Sequence, residues 1–426
     1  MFFLAQKSEL KGAVDIPGSK SHTIRGVFFA SLADGQSTLE RPLDSLDTRA
    51  AADVCRAFGA DIATGGDAWS VRGFGGRPDV PGDVIDVKNS GTTLNVALSV
   101  AALADGHTIL TGDEQIRRRP SGPLIRALSE LGAEAFSTRG DDCPPIVVGG
   151  RLVGGVCGVC GTSSQYVTSL LVSTPLADGD TEINVTELNE RPYVRMTIDW
   201  LERLGIRCEH DESLSHFKLP GGQTYGGFAR QIPADFSSAT FFLCAAAAAA
   251  GGPVSLRGLD MSDTQGDKAV VDMLRAMGAE IEERGGELVA RGGALKGTEL
   301  DLNATPDALP ALAVAACFAE GETRLVNVPQ ARIKETDRLA VMHRELTKMG
   351  ARVTELDDGL VIEGGRLRGA EVSGHGDHRV VMALAVAAMG AAGTTRIATA
   401  ESAAVTFPNF IELMQGLGAN IEASDR

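Results

Sequence analysis

Basic residues occur in short clusters along a chain that is otherwise strongly acidic. The 426 residues carry 56 Asp and Glu against 40 Lys and Arg, a formal net charge of −16 at pH 7. The cationic clusters lie at Lys20 with Arg25, at 117–119 and at 334–338. Because nucleic-acid phosphates favour a basic surface, the acidic balance argues against nucleic acid as a partner. The clusters instead predict local sites for a small anion.

The elements that position these residues repeat six times. Two series of glycines, spaced by 68 to 73 residues, each follow a predicted helix end. Gly in that place supplies a left-handed C-cap, and the β-branched residues after it favour a strand. Each unit is therefore predicted to hold strands interleaved with two helices. The first series is Gly59, Gly132, Gly205, Gly278, Gly350 and Gly418; the second is Gly35, Gly106, Gly179, Gly252, Gly321 and Gly393.

The helices before the second series are apolar on nearly every side, as in 96–104 and 380–389. This pattern predicts burial all round, at the centre of a domain. Six units divide naturally into two groups of three, with the junction near 231–234. A cleft between two such halves is a common place for a small-molecule site.

A polar cluster lies 15 or 16 residues before each glycine of the second series, and all six clusters are predicted helix N-termini. Ordinary N-capping is one interpretation, and it explains Ser237 well. It does not explain Lys20 and Arg379, because the helix dipole disfavours a cation at an N-terminus. A bound anion would remove that conflict. The clusters lie at 20–22, 89–92, 163–165, 235–238, 305–307 and 376–379.

Together these motifs resemble the 5-enolpyruvylshikimate-3-phosphate synthase family, in the family's order and over nearly the whole chain. The resemblance implies an α/β fold, a two-domain inside-out α/β barrel of six βαβαββ repeats, three per domain, whose first strand belongs with the C-terminal half. It implies domains of 1–18 plus 234–426 and of 19–233, with the active site in the interdomain cleft. The motifs are PGSKS at 17–21 with Arg25, NSGTT at 89–93, RRRPSG at 117–122, SSQ at 163–165, RPY at 191–193, KETDR at 334–338 and DHR at 377–379.

The resemblance also implies an activity in the shikimate pathway of aromatic amino acid biosynthesis. The enolpyruvyl group of phosphoenolpyruvate moves to the 5-hydroxyl of shikimate-3-phosphate, and phosphate leaves from a tetrahedral ketal, with no metal and no organic cofactor. The hydroxyl must lose a proton and the methylene carbon must gain one. By resemblance, Asp307 takes the hydroxyl proton, and Glu335 with Lys20 serves the methylene carbon. The alternatives are a helix-dipole role for Asp307 and a surface ion pair of Glu335 with Arg338.

The binding residues are likewise implied by the resemblance. Pro120 should hold Arg119 extended, and Lys334 and Arg338 should stand one turn apart on a helix; Tyr193 could equally serve packing. Phosphoenolpyruvate is assigned Lys20, Gly91, Arg119, Gln165, Arg338 and Arg379. Shikimate-3-phosphate is assigned Lys20, Ser21, Arg25, Ser163, Ser164, Gln165, Arg191, Tyr193, Asp307 and Lys334.

Four residues depart from the family pattern: Asn95 for Arg, Glu190 for Ser, Gln330 for Asn and Val405 for Lys. A carboxylate at Glu190 should repel an acceptor phosphate, so either its side chain turns away or the acceptor differs. The second option would make the chain a divergent enolpyruvyl transferase with a different anionic acceptor in secondary metabolism. A non-enzymatic binding protein is a further alternative. The related enzyme that acts on UDP-N-acetylglucosamine is disfavoured, because the loop at 112–119 contains no Cys.

The remaining features indicate a cytoplasmic protein. The first ten residues lack a cationic segment before a signal-like core, and no apolar stretch approaches the ~20 residues that span a bilayer. Seven scattered Cys residues do not suggest a disulfide framework, and the Cys157–Cys160 pair has no second pair to complete a zinc site. We expect a monomer without membrane partners.

Overall fold

The computed structural model describes residues 1–425 and divides into two compact units. Unit 1 comprises Met1–Pro17 with Pro233–Arg426, and unit 2 comprises Gly18–Ile232. Both boundaries lie one residue before the predicted ones. Each unit packs around a hydrophobic core of its own, as an independently folded body requires.

Within the described residues the chain forms twelve α-helices that alternate between two kinds. The odd-numbered helices are buried along almost their whole length, as the apolar pattern predicts. The even-numbered helices bury one face only. None of these helices is both long enough and apolar enough to cross a bilayer. They are α1 (Lys20–Leu32), α2 (Leu46–Ala57), α3 (Gly91–Ala101), α4 (Gly122–Glu130), α5 (Ser164–Ser173), α6 (Arg191–Arg203), α7 (Phe236–Ala249), α8 (Ala269–Ala276), α9 (Leu309–Cys317), α10 (Arg338–Lys348), α11 (His378–Gly390) and α12 (Phe410–Gly416).

The strands of the described chain form six four-stranded sheets with one common plan. Two neighbouring strands run parallel, and the other two continue the sheet antiparallel. The strands are β1 (Phe2–Gln6), β2 (Leu10–Asp15), β3 (Gln36–Glu40), β4 (Asp61–Ala63), β5 (Ala68–Arg72), β6 (Ile85–Asp86), β7 (Thr108–Thr111), β8 (Ala133–Ser137), β9 (Ile146–Gly150), β10 (Gly155–Cys160), β11 (Thr181–Thr186), β12 (Glu209–His210), β13 (His216–Leu219), β14 (Ala229–Gln231), β15 (Ala250–Arg257), β16 (Glu280–Arg284), β17 (Glu287–Arg291), β18 (Glu299–Asp301), β19 (Glu322–Val326), β20 (Arg352–Leu356), β21 (Gly359–Glu363), β22 (Glu371–Ser373), β23 (Thr394–Ala398) and β24 (Ile421–Ser424).

Each sheet, with one buried and one outer helix, is a βαβαββ repeat. The sheet orders are β14-β3-β5-β4, β6-β7-β9-β8 and β10-β11-β13-β12 in unit 2, and β2-β15-β17-β16, β18-β19-β21-β20 and β22-β23-β1-β24 in unit 1. Strand β1 pairs with β23 and β24, so the first strand does belong with the C-terminal half, as predicted. Strand β14 reaches back in sequence to pair with β3.

The two glycine series differ in their backbone. Every glycine of the first series has a positive φ, between 72° and 103°, which confirms the predicted left-handed helix ends. In the second series only the glycines at 35, 321 and 393 do, so that prediction was wrong for the other three. At Gly179 the requirement is space instead, because a Cβ atom would lie 3.0 Å from the Val153 carbonyl oxygen.

The Cys157–Cys160 pair lies on strand β10. All seven cysteines fall within the described residues and are free thiols. Burial raises the pKa of the Cys157 thiol to about 12. Since the thiolate is the form that binds metals and exchanges disulfides, this environment disfavours both kinds of chemistry.

Candidate active site

The six polar clusters all open a buried helix, which confirms the predicted positions. Ser19, Ser90, Ser163 and Asp377 are the N-caps of α1, α3, α5 and α11, and each accepts a backbone N–H of its own first turn. Asp235 accepts the Ser238 N–H at 2.9 Å at the start of α7. Before α9, the cluster forms a 3-10 turn at Pro306–Ala308. The two units therefore carry three such N-termini each.

In unit 2, Arg25 joins three helices through neutral partners. Its guanidinium donates to Thr197 at 2.9 Å, to Thr168 at 3.2 Å and to the carbonyl oxygens of Ser21 and Tyr193 at 3.1 and 3.0 Å. The residue is 3% exposed. Burial lowers the pKa of Arg25 to about 10, against a smaller raising effect of Tyr193. A buried cation held by neutral groups gains from an anionic ligand.

The N-termini of α3 and α5 are joined by Gln165. Its Oε1 accepts the Asn95 side-chain amide at 2.8 Å, and its Nε2 donates to Thr92 at 3.2 Å. Asn95 also accepts the Ser121 hydroxyl at 3.0 Å. Asn95, one of the departures from the family pattern, thus uses its short amide to link α3, α5 and the start of α4.

Arg119 lies beside the first residue of α3. A Cβ atom built on Gly91 would stand 2.7 Å from the Arg119 Nη1 atom, so a side chain at this position would displace the guanidinium from the start of α3. The Arg119 backbone is extended (φ −92°, ψ 120°), as Pro120 predicts. Arg119 is half-buried, whereas Arg117 and Arg118 are exposed. Of the three adjacent arginines, Arg119 is therefore the one directed at a helix N-terminus.

The other candidates of unit 2 differ in their surroundings. Lys20 donates to Asp47 at 3.3 Å, and both side chains are largely buried. Arg191, the first residue of α6, is exposed. Tyr193 is half-buried against the hydrophobic core, in keeping with the packing alternative.

In unit 1, Arg338 forms hydrogen bonds with three carboxylates. Its guanidinium donates to Asp307 at 2.7 Å, to Glu335 at 2.5 Å and to Asp377 at 2.8 Å. Arg379 forms an ion pair of 2.8 Å with the other oxygen of Asp307. Burial by itself would lower the pKa of Arg338, but the three carboxylates raise it well above its usual value. The predicted proton-transfer residues, Asp307 and Glu335, thus share one buried cation.

Three details of this cluster go beyond the sequence. Glu335 does pair with Arg338, but its side chain is 11% exposed, so the pair is not a surface contact. Asp377, which the sequence places at a helix start and in the DHR motif without a role of its own, orients Arg338. Glu335, Asp377 and His378 bring potential metal-ligand atoms within 4.8 Å of one another. Arg338 already places a positive charge on the two carboxylates of that group.

The predicted helical stacking of Lys334 and Arg338 was wrong. Helix α10 begins at Arg338, because the Asp337 side chain caps it by accepting the Ala340 N–H at 3.1 Å. Lys334 lies before the helix in a non-helical conformation (φ −85°, ψ −147°). The KETDR motif is therefore a bend leading into a helix, and this bend directs Glu335 back to Arg338.

Glu345 is a positioning residue that the sequence did not indicate. It is completely buried on α10 and accepts hydrogen bonds from Lys348 at 2.7 Å, His375 at 2.9 Å and the Ser373 N–H at 3.0 Å. Burial alone would raise the pKa of Glu345, but these hydrogen bonds lower it below its usual value. Because 373–376 leads directly to Asp377, Glu345 ties α10 to the start of α11.

Replacing Glu345 by Gln should lower the free energy of unfolding by about 2 kcal/mol at pH 7. A carboxyl whose pKa is lowered by folding stabilises above its unfolded pKa of about 4.3, and this contribution is lost as pH falls through the folded value. The difference between wild type and variant should therefore shrink in acid. Denaturant unfolding from pH 7 to pH 3 measures it, with Glu371→Gln, an exposed position on β22, as control. A difference independent of pH would contradict this assignment.

The comparisons with known proteins agree over the whole chain. The family model described as EPSP synthase (3-phosphoshikimate 1-carboxyvinyltransferase) matches residues 4–414. Two relatives named 3-phosphoshikimate 1-carboxyvinyltransferase, from Ruminiclostridium cellulolyticum and Acetivibrio thermocellus, are each 53% identical. The alignments cover 99% and 100% of this chain and 100% of both relatives. The solved EPSP synthase of Acinetobacter baumannii superposes with a TM-score of 0.83 at 28% identity, covering 100% of both chains.

These matches confirm the predicted α/β fold and the predicted class of enzyme, a transferase of the shikimate pathway. They do not favour the divergent transferase of secondary metabolism. The chain belongs to the EPSP synthase (3-phosphoshikimate 1-carboxyvinyltransferase) family.

Proposed function

We propose that this chain transfers the enolpyruvyl group of phosphoenolpyruvate to the 5-hydroxyl of shikimate-3-phosphate and releases phosphate. The observation that carries the proposal is the buried guanidinium of Arg338, which holds Asp307 and Glu335 together. The reaction needs a group that removes a proton from the hydroxyl and another that gives one to the methylene carbon. Two carboxyls fixed by one cation supply such a pair.

Asp307 is the proposed base for the acceptor hydroxyl. Its Oδ1 atom accepts from Arg338 at 2.7 Å and its Oδ2 atom pairs with Arg379 at 2.8 Å. Both oxygens are thereby fixed in place. A fixed orientation favours general-base catalysis, because the proton must move along a defined path from the hydroxyl to the carboxylate. Glu335 is the proposed acid for the methylene carbon, with Lys20 of unit 2 contributing charge; Glu335 gives its proton from the carboxylic acid form and becomes the carboxylate that pairs with Arg338. Carbon–oxygen bond formation gives the ketal, and the double bond is regenerated when phosphate leaves and the Glu335 carboxylate takes a proton back from the methyl carbon.

Phosphoenolpyruvate carries a carboxylate and a phosphate, so its binding needs several fixed cations. Arg119 and Lys20 in unit 2, and Arg379 in unit 1, are the proposed ones, with Gly91 and Gln165 shaping the start of α3. Arg338 was predicted for the same task. Four of its hydrogen bonds in this structure go to carboxylates, so phosphoenolpyruvate would have to compete with Asp307, Glu335 and Asp377 for this guanidinium.

Shikimate-3-phosphate carries two anionic groups as well. Arg25, buried among neutral partners, is the proposed cation for one of them. The first turn of α5, with Ser163 and Ser164, is the proposed cradle for the phosphate, because the N–H groups and hydroxyls at a helix start attract phosphate oxygens. The other proposed contacts are Ser21, Arg191, Tyr193 and Lys334.

Arg119→Ala should weaken phosphoenolpyruvate binding by roughly 10- to 100-fold, the loss of one or two charge-assisted hydrogen bonds. Titration calorimetry with phosphoenolpyruvate alone measures it, because adding shikimate-3-phosphate would start turnover. Arg118→Ala is the matched control, since that neighbour is exposed and paired with Glu114. Unchanged affinity in the Arg119 variant would remove this residue from the binding set.

Phosphate release tests the function itself. The purified protein, treated with a chelator, is mixed with phosphoenolpyruvate and shikimate-3-phosphate, and each substrate is omitted in turn. Release that needs both substrates supports the proposal. Binding of phosphoenolpyruvate without release would keep the anion site but reject shikimate-3-phosphate as the acceptor.

A further inference from the structure

The carboxylate of Glu190 occupies the first turn of α5. Glu190 directly precedes α6, yet its side chain makes no capping hydrogen bond to that helix. Instead its Oε2 atom accepts the Ser164 hydroxyl at 2.6 Å and the Ser164 backbone N–H at 3.3 Å. The residue is 2% exposed. A charged side chain from one helix start therefore lies buried at the start of another.

This contact uses the donors that an external anion would need. A hydroxyl has a single proton, so Ser164 Oγ cannot donate to a ligand while it donates to Glu190. The next N–H of the turn, that of Gln165, is directed at the Ser163 hydroxyl at 3.4 Å. The charge of Glu190 also reaches Tyr166, where it adds to burial in raising the pKa to about 12. The first turn of α5 already has an anion, supplied by the protein.

We propose that Glu190 is an internal anion that competes with the acceptor's phosphate for the first turn of α5, and so sets the affinity for the acceptor. The inference rests on the proposed function, which assigns the acceptor's phosphate to Ser163 and Ser164. Two anions cannot share these donors, and adjacent like charges in a partly desolvated site repel strongly. Acceptor binding thus requires the carboxylate to leave Ser164.

The backbone of the loop gives the carboxylate a way to leave. Glu187 and Glu190 both hold left-handed conformations, with φ of 50° and 55°, which residues with side chains seldom adopt. A change of residue 190 to an extended conformation removes that strain and carries its side chain away from α5. The strained conformation is compensated here by the two hydrogen bonds to Ser164.

Titration calorimetry of shikimate-3-phosphate on the full chain tests the inference. Glu190→Gln keeps the size of the side chain and removes its charge, and it should lower the acceptor Kd by about tenfold or more, equivalent to 1.4 kcal/mol. Glu190→Ser should also lower the Kd for shikimate-3-phosphate, and this variant provides the test if the Gln variant does not fold. Phosphoenolpyruvate affinity should stay unchanged in both. Glu187→Gln is the matched control, because it lies in the same loop and backbone conformation but is exposed.

The outcomes separate this inference from the function on which it rests. If wild type releases phosphate from the two substrates and the Glu190 variants bind shikimate-3-phosphate no more tightly, the inference is overturned and the function stands. Weaker binding by the variants also overturns it, since Glu190 would then assist the acceptor. If wild type neither binds shikimate-3-phosphate nor turns over, both fail. Tighter binding in the variants alone, and not in the Glu187 control, supports the inference.

Discussion

Asp307→Asn should reduce kcat by about 10²- to 10⁴-fold, because the variant keeps the shape of the side chain but cannot accept a proton. The amide oxygen can still accept from one of the two arginines that hold Asp307, Arg338 and Arg379. Binding of both substrates should therefore change much less than turnover. Single-turnover kinetics with a separate titration of each substrate measures the two effects independently.

Asp301→Asn is the matched control for that experiment. Asp301 is an exposed carboxylate at the end of β18 in the same repeat, and it accepts the Asn327 side-chain amide at 2.9 Å. The control should leave kcat unchanged. An Asp307→Asn protein with wild-type turnover would remove Asp307 from the mechanism and favour the alternative that it only complements the helix dipole.

Arg338→Met should lower the free energy of unfolding by about 3–5 kcal/mol, because it leaves three converging carboxylates without their shared cation. The side chain of Arg338 is 1% exposed, and those of its partners Asp377 and Glu335 are 0% and 11% exposed. Lys should restore the charge but not the fork geometry, so Arg338→Lys should recover only part of the loss. Turnover should fall in both variants, since Asp307 and Glu335 lose their common anchor.

Arg344→Met is the control for Arg338. Arg344 is on the same helix, and its side chain is 53% exposed. Replacing an exposed arginine should change the free energy of unfolding by less than about 1 kcal/mol. Denaturant unfolding of the three variants and of wild type measures the differences, and an Arg338→Met protein as stable as wild type would contradict the structural role given to the cluster.

The sequence was sufficient for the repeat architecture because that architecture depends on local signals. A glycine such as Gly132 or Gly278 ends a helix through its own backbone, and an apolar helix such as α11 is buried because it has no polar face. Helix starts followed in the same way from capping residues and from their distance to the next glycine. Each of these signals lies within a few residues of the feature that it predicts.

The pairing of charges could not be obtained in this way. Lys20 meets Asp47 across two helices, and Arg338 meets Asp377, which lies in the next repeat. Such contacts depend on how the helices pack against one another, and no local sequence pattern encodes this packing. The direction of Glu190 is a further example, because a left-handed backbone sends its side chain to α5 and not to its own helix.

The bend at 334–337 shows how a local signal can be misassigned. Asp337 is an N-cap by residue type, but the charged residues on both sides of it also suit a helix interior. The structure resolves the choice through the Asp337 contact with the Ala340 N–H, and the helix starts four residues later than the spacing of Lys334 and Arg338 suggested. Glu335 reaches Arg338 because of that bend.

The fate of one oxygen atom tests the proposed reaction most directly. Phosphoenolpyruvate is labelled with ¹⁸O at the oxygen that bridges carbon and phosphorus, and it is turned over with shikimate-3-phosphate. Addition to the carbon followed by loss of phosphate breaks the carbon–oxygen bond, so the label should appear in the released phosphate, as mass spectrometry or ³¹P NMR would show. Phosphate without the label would mean cleavage at phosphorus, and it would contradict enolpyruvyl transfer by this chain.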